Sequence, residues 1–390
     1  MTEAFRWHPQ ARLYDAKGQN YRPMPSAAVV AAGAGALGQV IGHPAFRIGA
    51  TDEPAPESAA VPVFEALTSG STGKPKRILR TQGSWTASFA VNAGFGIGPS
   101  ARVAVLGGLV QSLALYGAVE ALHLGAEVHL LDALRPDRQR TALAARRISH
   151  LYASPAQLRL VLEGAGECPD LALVLVGGSK LDPGLLAGLR AMAPAARVLE
   201  FYGAAETSFV TLADAATPEG SVGRAYPGVT IDLDPSGKVW VKSPYLFLGY
   251  AGGAGGAGGS GTADWRDGWL SVGEVGRQKD GYLYLRGRAG RMVTVADQNV
   301  FPEEIEALLQ AMPGITRAAV LPVANALRGT VLVGLVQGDR SAHAAILAAL
   351  RADLGALKSP KALIWLQDWP LLPSGKTDLR ALEVLVKWPV

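Results

Sequence analysis

The sequence predicts an α/β protein: a large N-terminal domain of mostly parallel sheets plus a β-rich section, and a small mobile α+β C-terminal domain. Three observations carry that expectation. Between Arg102 and Tyr202 the apolar runs RVAVLGG, AEVHLL, LALVLVGG and RVLEFYG alternate with Ala/Leu-rich stretches, and short buried strands separated by helices make a parallel sheet. After Tyr202 the texture changes to short strands and turns, and from about Arg291 helical and strand patterns mix again. Finally, 390 residues exceed one ordinary core and suit two unequal domains, divided here as 1–289 and 290–390.

In chain order, LDPGLLAGLRAM reads as a helix of the parallel section. In TIDLDPSGKVWVKS, Pro-Ser-Gly separates two alternating runs, the pattern of a hairpin. The tract AGGAGGAGGSGTA, Ala251–Ala263, has almost no side chain to bury and is expected to be a mobile surface loop. The C-terminal section reads as helix PEEIEALLQAM, strands RAAVLPV and TVLVGLVQG, helix AHAAILAALRADLG and strand KALIWLQ. That is a unit of roughly 100 residues, near the lower end for an independent domain.

Composition bounds the function. A 49% hydrophobic content with 18% charged residues is that of a soluble globular protein. The 37 basic residues exceed the 33 acidic ones by little and are scattered, so no nucleic-acid footprint is visible. Cys168 is the single cysteine, which excludes an internal disulfide and a cysteine metal cluster and fits a reducing compartment. The first residues lack the pattern of a secretory signal, and no run approaches the roughly 18 apolar residues of a membrane span. A cytoplasmic location is expected.

The segment TSGSTGKPK, Thr68–Lys76, follows the apolar run VPVFEAL. Its glycines, hydroxyl side chains and lysines supply the N–H groups, O–H groups and positive charge that phosphate oxygens need. It is not a Walker loop, because Lys74 is followed by Pro75 rather than Ser or Thr. On this segment alone a flexible Ser/Gly linker is the competing reading.

With further segments in order, the chain resembles the adenylate-forming superfamily of acyl- and aryl-CoA synthetases, adenylation domains and luciferases. Thr68–Lys76 matches its signature loop; Tyr202-Gly203-Ala204-Ala205-Glu206-Thr207 resembles YGxTE, and GSVGRAYPG from Gly220 resembles GSVGRPxPG. GKVWVKSPYLFLGY, GWLSVGEVG, Gly287-Arg288 and LPSGK at Leu372–Lys376 are similar to the later family motifs. The resemblance implies ATP-dependent activation of a small carboxylic acid as its acyl-adenylate, then transfer to a thiol, with ATP, Mg²⁺ and coenzyme A or a carrier-protein phosphopantetheine.

Site roles follow from that resemblance, residue by residue. Thr68, Ser69, Gly70, Ser71, Thr72, Gly73 and Lys76 are expected to enclose the β- and γ-phosphates, with Thr72 counted among the catalytic groups. Tyr202 suits stacking on adenine, with Gly177, Gly178, Ser179, Gly203 and Ala204 lining the pocket. Glu206 suits Mg²⁺, a hard cation that prefers carboxylates. Glu274 stands where the family has the ribose-binding aspartate, Arg288 approaches ribose or phosphate, and Lys376 is the catalytic lysine. Each has a plain alternative: a loop cap, a strand-ending turn, a core tyrosine, a surface charge.

Several positions depart from the family pattern. Ala205 and Val272 replace threonines, and the sequence leaves open whether Thr207 restores the hydroxyl lost at 205. Gly290 stands at the pivot, where it permits rotation of the small domain. Asp297 replaces a glycine near the expected pantetheine channel, which favours a carrier protein over coenzyme A as acceptor. Only 67 residues precede the glycine-rich loop, a shortened form, so residues 1–62 or a homodimer partner are expected to cover apolar surface. The segment GGLVQSLALYGAVEALHLGA suggests an apolar or aromatic acid. Three functions follow: acid–thiol ligase, acyl-AMP ligase loading a carrier protein, and non-catalytic nucleotide-binding scaffold.

Overall fold

The computed structural model describes residues 4–57, 59–68, 76–253, 263–295, 298–325, 329–372 and 375–386. The chain divides into two compact units. The first comprises Met1–Asp232, Trp240–Val272 and Gln278–Tyr284; the second comprises Leu233–Val239, Gly273–Arg277 and Leu285–Val390.

In the first unit, strands Glu127–Leu130, Arg102–Val105, His150–Ala153, Leu173–Gly177 and Arg197–Ala204 lie side by side in that order, all parallel. Successive side chains of a strand face opposite ways, and here both faces are buried. Val103, Val105, Tyr152, Leu173 and Leu175 pack into one core, whereas Ala104, Leu151, Ala153, Val174 and Val176 pack into another. Burial on both faces is why these strands read as unbroken apolar runs. The strand His150–Ala153 escaped the sequence reading because HLYA is short and opens on a histidine.

The helices between these strands carry start signals in the sequence. Ser154 and Gln157 form a capping box ahead of Pro155–Leu162, and Asp182 accepts the Leu185 N–H at 2.9 Å ahead of Pro183–Met192. The helix Ser112–Leu124 stops at Gly125, whose φ of +95° suits glycine.

A second sheet aligns Val29–Val30, Ala45–Ile48, Val63–Thr68, Lys76–Thr81 and Gly249–Tyr250. Residues ahead of the glycine-rich loop supply the cover anticipated for them. Phe5, Leu13, Leu37 and Phe46 are buried in the larger core, and the Phe5 ring lies 5.1 Å from Phe64 and 5.9 Å from Phe89. The strand Arg12–Tyr14 extends the parallel sheet beside Glu127–Leu130.

The second unit pairs Ile315–Asn325 antiparallel with Gly329–Gly338 and adds Ala362–Trp365 parallel to the latter. Helices Pro302–Ala311 and His343–Lys358 contribute Ile305, Leu309, Ile346 and Leu350 to its core. These are the helices and strands anticipated for this section. The anticipated hairpin also forms: Asp234 Oδ1 accepts the N–H groups of Ser236 at 2.9 Å and Lys238 at 3.1 Å, closing the turn. The glycine tract lies outside the described residues from 254 to 262.

One carboxylate is buried in the larger core of the first unit. Glu120 accepts hydrogen bonds from Asn92 Nδ2 at 2.8 Å, Tyr116 at 3.0 Å and the Tyr152 hydroxyl. Burial pushes its carboxyl up to about 7, although the three hydrogen bonds pull it down. The unfolded chain ionises this group near 4.5, so its contribution to stability is full below that pH and is lost as the pH rises through 7. The loss is on the order of 3 kcal/mol. Glu120→Gln removes it: in urea titrations the variant should exceed the wild type at pH 8.5 and lose that advantage by pH 5. Parallel pH responses of the two proteins would contradict the assignment.

Candidate active site

Gly177 and Phe201 form the last pair of the parallel ladder, so Gly178 and Tyr202 come directly after it at the carboxyl edge. That is where open α/β sheets take ligands. Gly178 has φ +100°, and with Ser179 it is exposed. Between Tyr202 and Gly203 the register of Arg197–Ala204 against Ser208–Ala213 shifts. Such a bulge re-aims the side chains beside it. Only glycine fits there, since a Cβ on Gly203 would lie 1.9 Å from the Ser208 carbonyl oxygen.

Beyond the bulge the chain turns and presents Glu206. Thr207 is 1% exposed and commits its hydroxyl to the turn, accepting the Ala204 N–H at 2.9 Å. It therefore does not replace the hydroxyl missing at Ala205. The Phe247 N–H donates to the Glu206 carbonyl at 2.9 Å, and Tyr250 donates its hydroxyl to Glu206 Oε1 at 3.0 Å.

Two residues that shape this turn escaped the sequence reading as site residues. Arg80 is fully buried and donates to the Ala205 carbonyl, to Ser208 Oγ at 2.8 Å and to the Tyr245 carbonyl. Burial pushes its guanidinium down to about 9, against the opposing charge of Glu206. The sequence signal was there: in KRILRT, Arg80 shares the buried face with Ile78, and a charge on an apolar face needs partners. Tyr250 is the other. Paired with Ile78, it carries its ring 5.1 Å from Lys76 Nζ and its hydroxyl against Glu206.

The strands on either side of the glycine-rich segment are antiparallel neighbours, with Thr68 facing Lys76. Ser69, Gly70, Ser71, Thr72 and Gly73 lie outside the described residues, as does Asp297. The structure thus brings Thr68, Lys76, Tyr250 and Glu206 into one neighbourhood of the first unit. Glu206 with one oxygen anchored suits a hard cation, and no group of three or more His, Cys, Asp or Glu among the described residues forms a metal cage. A Mg²⁺ ion here would draw its remaining ligands from water and phosphate.

The second unit carries the other three predicted side chains. Glu274 is 8% exposed and accepts Arg288 Nε at 3.0 Å. Burial raises its carboxyl, while Arg288 and then Lys376 pull it back down. Lys376 is exposed on a tight turn in which its carbonyl accepts the Leu372 N–H at 2.8 Å and Gly375 has φ +78°. Pro373 and Ser374 lie outside the described residues.

The bulge offers a test. Gly203→Ala forces the Ser208 carbonyl aside, at a cost of about 1–3 kcal/mol, and displaces Tyr202 and Glu206 with it. Lower urea resistance and weaker nucleotide binding by calorimetry are expected. An unchanged titration in both assays would show that the turn yields without cost.

The family model for the AMP-binding enzyme matches residues 9–251, and that for the AMP-binding enzyme C-terminal domain matches residues 304–376. The uncharacterized acyl–CoA ligase YhfT of Bacillus subtilis (strain 168) is 32% identical over 332 residues, 81% of this chain and 67% of that protein. Indoleacetate–CoA ligase of Aromatoleum aromaticum is 28% identical over 354 residues, 82% of this chain and 67% of its own. The chain thus spans about two thirds of the length of these relatives. ATP-bound MatB from Rhodopseudomonas palustris superposes with TM-score 0.70 at 25% identity, covering 87% of this chain and 71% of that one.

Proposed function

The chain belongs to the AMP-binding enzyme family, and from that premise we propose that it activates a carboxylic acid with ATP and Mg²⁺ and transfers the acyl group to coenzyme A. The observation that carries this reading is Glu206, held on a bulged turn at the carboxyl edge of the parallel sheet and tied through Tyr250 to Lys76. A fixed carboxylate beside a cation-bearing, glycine-rich segment is equipment for a metal-bound polyphosphate.

Charge builds on phosphate oxygens as the acid attacks the α-phosphate and pyrophosphate leaves. Thr68, Ser69, Gly70, Ser71, Thr72, Gly73 and Lys76 cradle the departing phosphates. Tyr202 stacks on adenine between Gly178, Ser179, Gly203 and Ala204. Mg²⁺, when bound at Glu206, supplies positive charge to the phosphate oxygens. Arg288 engages Glu274 Oε1, and the second oxygen of Glu274 accepts from ribose. Lys376 meets the bridging oxygen of the α-phosphate.

Residues 1–289 and 290–390 act as the large and the small mobile domain, turning about Gly290. A Cβ there would meet no atom within 4 Å, so packing does not demand this glycine. The acid is apolar or aromatic, as the segment GGLVQSLALYGAVEALHLGA suggests and as the acid of one relative, an indoleacetate ligase, supports. No helix among the described residues is long and apolar enough to cross a membrane; the cytoplasmic location expected from the sequence stays a proposal. A homodimer is proposed for its quaternary state, and a monomer by light scattering at micromolar concentration overturns that. Asp297 favours a second reading of the acceptor, an acyl or peptidyl carrier protein.

An acid panel with hydroxylamine trapping of acyl-AMP, followed by coenzyme A or carrier phosphopantetheine as acceptor, tests both steps. Lys376→Ala should slow hydroxamate formation on the order of 10²–10³-fold. If no acid releases pyrophosphate while nucleotide still binds, the protein is a nucleotide-binding scaffold. The pH response follows from Glu274: its raised carboxyl takes up a proton at higher pH than an ordinary glutamate, so nucleotide affinity should weaken early on acidification. Glu274→Gln should bind weakly throughout and lose that slope in calorimetric titrations; an unaltered slope rules out Glu274 as its source.

A further inference from the structure

We propose that Tyr250 is a positioning residue for the activation step, its hydroxyl fixing the Glu206 carboxylate for the metal while its ring steadies Lys76 at the end of the glycine-rich segment. This rests on the reading of Glu206 as the Mg²⁺ ligand. Tyr250 is anchored by its backbone, because Gly249 and Tyr250 pair with Leu79 and Ile78 on the strand that Lys76 opens. One side chain therefore touches both halves of the phosphate machinery. Its hydroxyl donates to Glu206 Oε1 at 3.0 Å, and its ring centroid lies 5.1 Å from Lys76 Nζ.

The ring packs edge-on against Phe247 at 5.1 Å, and the Phe247 N–H holds the Glu206 carbonyl at 2.9 Å. Arg80 fixes the same turn from its other side through the Ala205 and Tyr245 carbonyls. Backbone and side chain of Glu206 are thus restrained separately, and Tyr250 restrains the side chain. A hydrogen bond from outside the coordination sphere orients a ligand and tunes its affinity for metal.

Tyr250→Phe separates this role from packing, since it keeps the ring against Lys76 and Phe247 and deletes one oxygen. Mg²⁺ titrations of hydroxamate formation at saturating acid should show the half-saturating Mg²⁺ concentration rising on the order of tenfold. The KM for the acid and the thermal midpoint should not move. In the double variant with Glu206→Gln, removing the hydroxyl should add nothing further. If Glu206→Gln raises the Mg²⁺ requirement and Tyr250→Phe does not, Tyr250 is a packing residue and the proposal fails alone. If Glu206→Gln leaves the requirement unmoved, the metal-ligand reading fails and takes the proposal with it. Should Tyr250→Phe lower the thermal midpoint, Tyr250→His, which returns a ring donor, must recover part of the Mg²⁺ response for the proposal to stand.

Discussion

Burial of the parallel sheet on both faces is the constraint on which the rest of the first unit depends. A parallel sheet needs crossover connections, and the helices they contain must cover both faces. The strands from Glu127 to Ala204 meet this with Val, Leu and Ala on alternate faces. Their backbone groups pair laterally and their side chains are buried above and below, so the carboxyl edge is the place left for polar chemistry. Gly178, Tyr202 and the Glu206 turn all emerge there.

Cover for the sheet comes partly from the start of the chain. Phe5, Leu13, Leu37 and Phe46 are as deeply buried as the central strands. Polar residues inside this core have structural work. Arg47 is fully buried and donates to Glu65 at 2.6 Å and to the carbonyls of Gly49, Ala50, Glu53 and Pro54. It folds that loop onto the strand Val63–Thr68, which leads into the glycine-rich segment. Arg80 does the same for the Glu206 turn. Buried cations with their donors satisfied specify one arrangement of loops, because any other leaves donors unpaired in a medium of low dielectric.

Much of the candidate site was legible because the phosphate chemistry proposed for it needs unusual residues in close sequence. Thr68–Lys76, Tyr202–Glu206 and LPSGK each concentrate glycine, hydroxyl or charge within a few positions, and such clusters stand out against an apolar background. Tyr250 and Arg80 were harder to assign: the buried face of KRILRT shows that Arg80 needs partners but not which ones, and nothing local marks the role of Tyr250. Tyr250 acts on Glu206, 44 residues away, and Arg80 on Ala205, 125 residues away. Thr207 shows the converse. The sequence leaves its hydroxyl's role open, and the turn consumes it.

By itself the sequence determined the alternation of strands and helices and the Pro-Ser-Gly hairpin, and it singled out the glycine-rich loop and the charged side chains of the candidate site. These rest on local hydrophobic period, turn chemistry and short motifs, which a linear chain displays directly. Tertiary structure decided which side chains hold Glu206, which oxygen of Glu206 is engaged, and how residues ahead of the glycine-rich loop seal the core. Those outcomes depend on strand register and on contacts between distant segments. The bulge at Gly203 and the pairing of Tyr250 with Ile78 are matters of register, and register is set only when the strands meet.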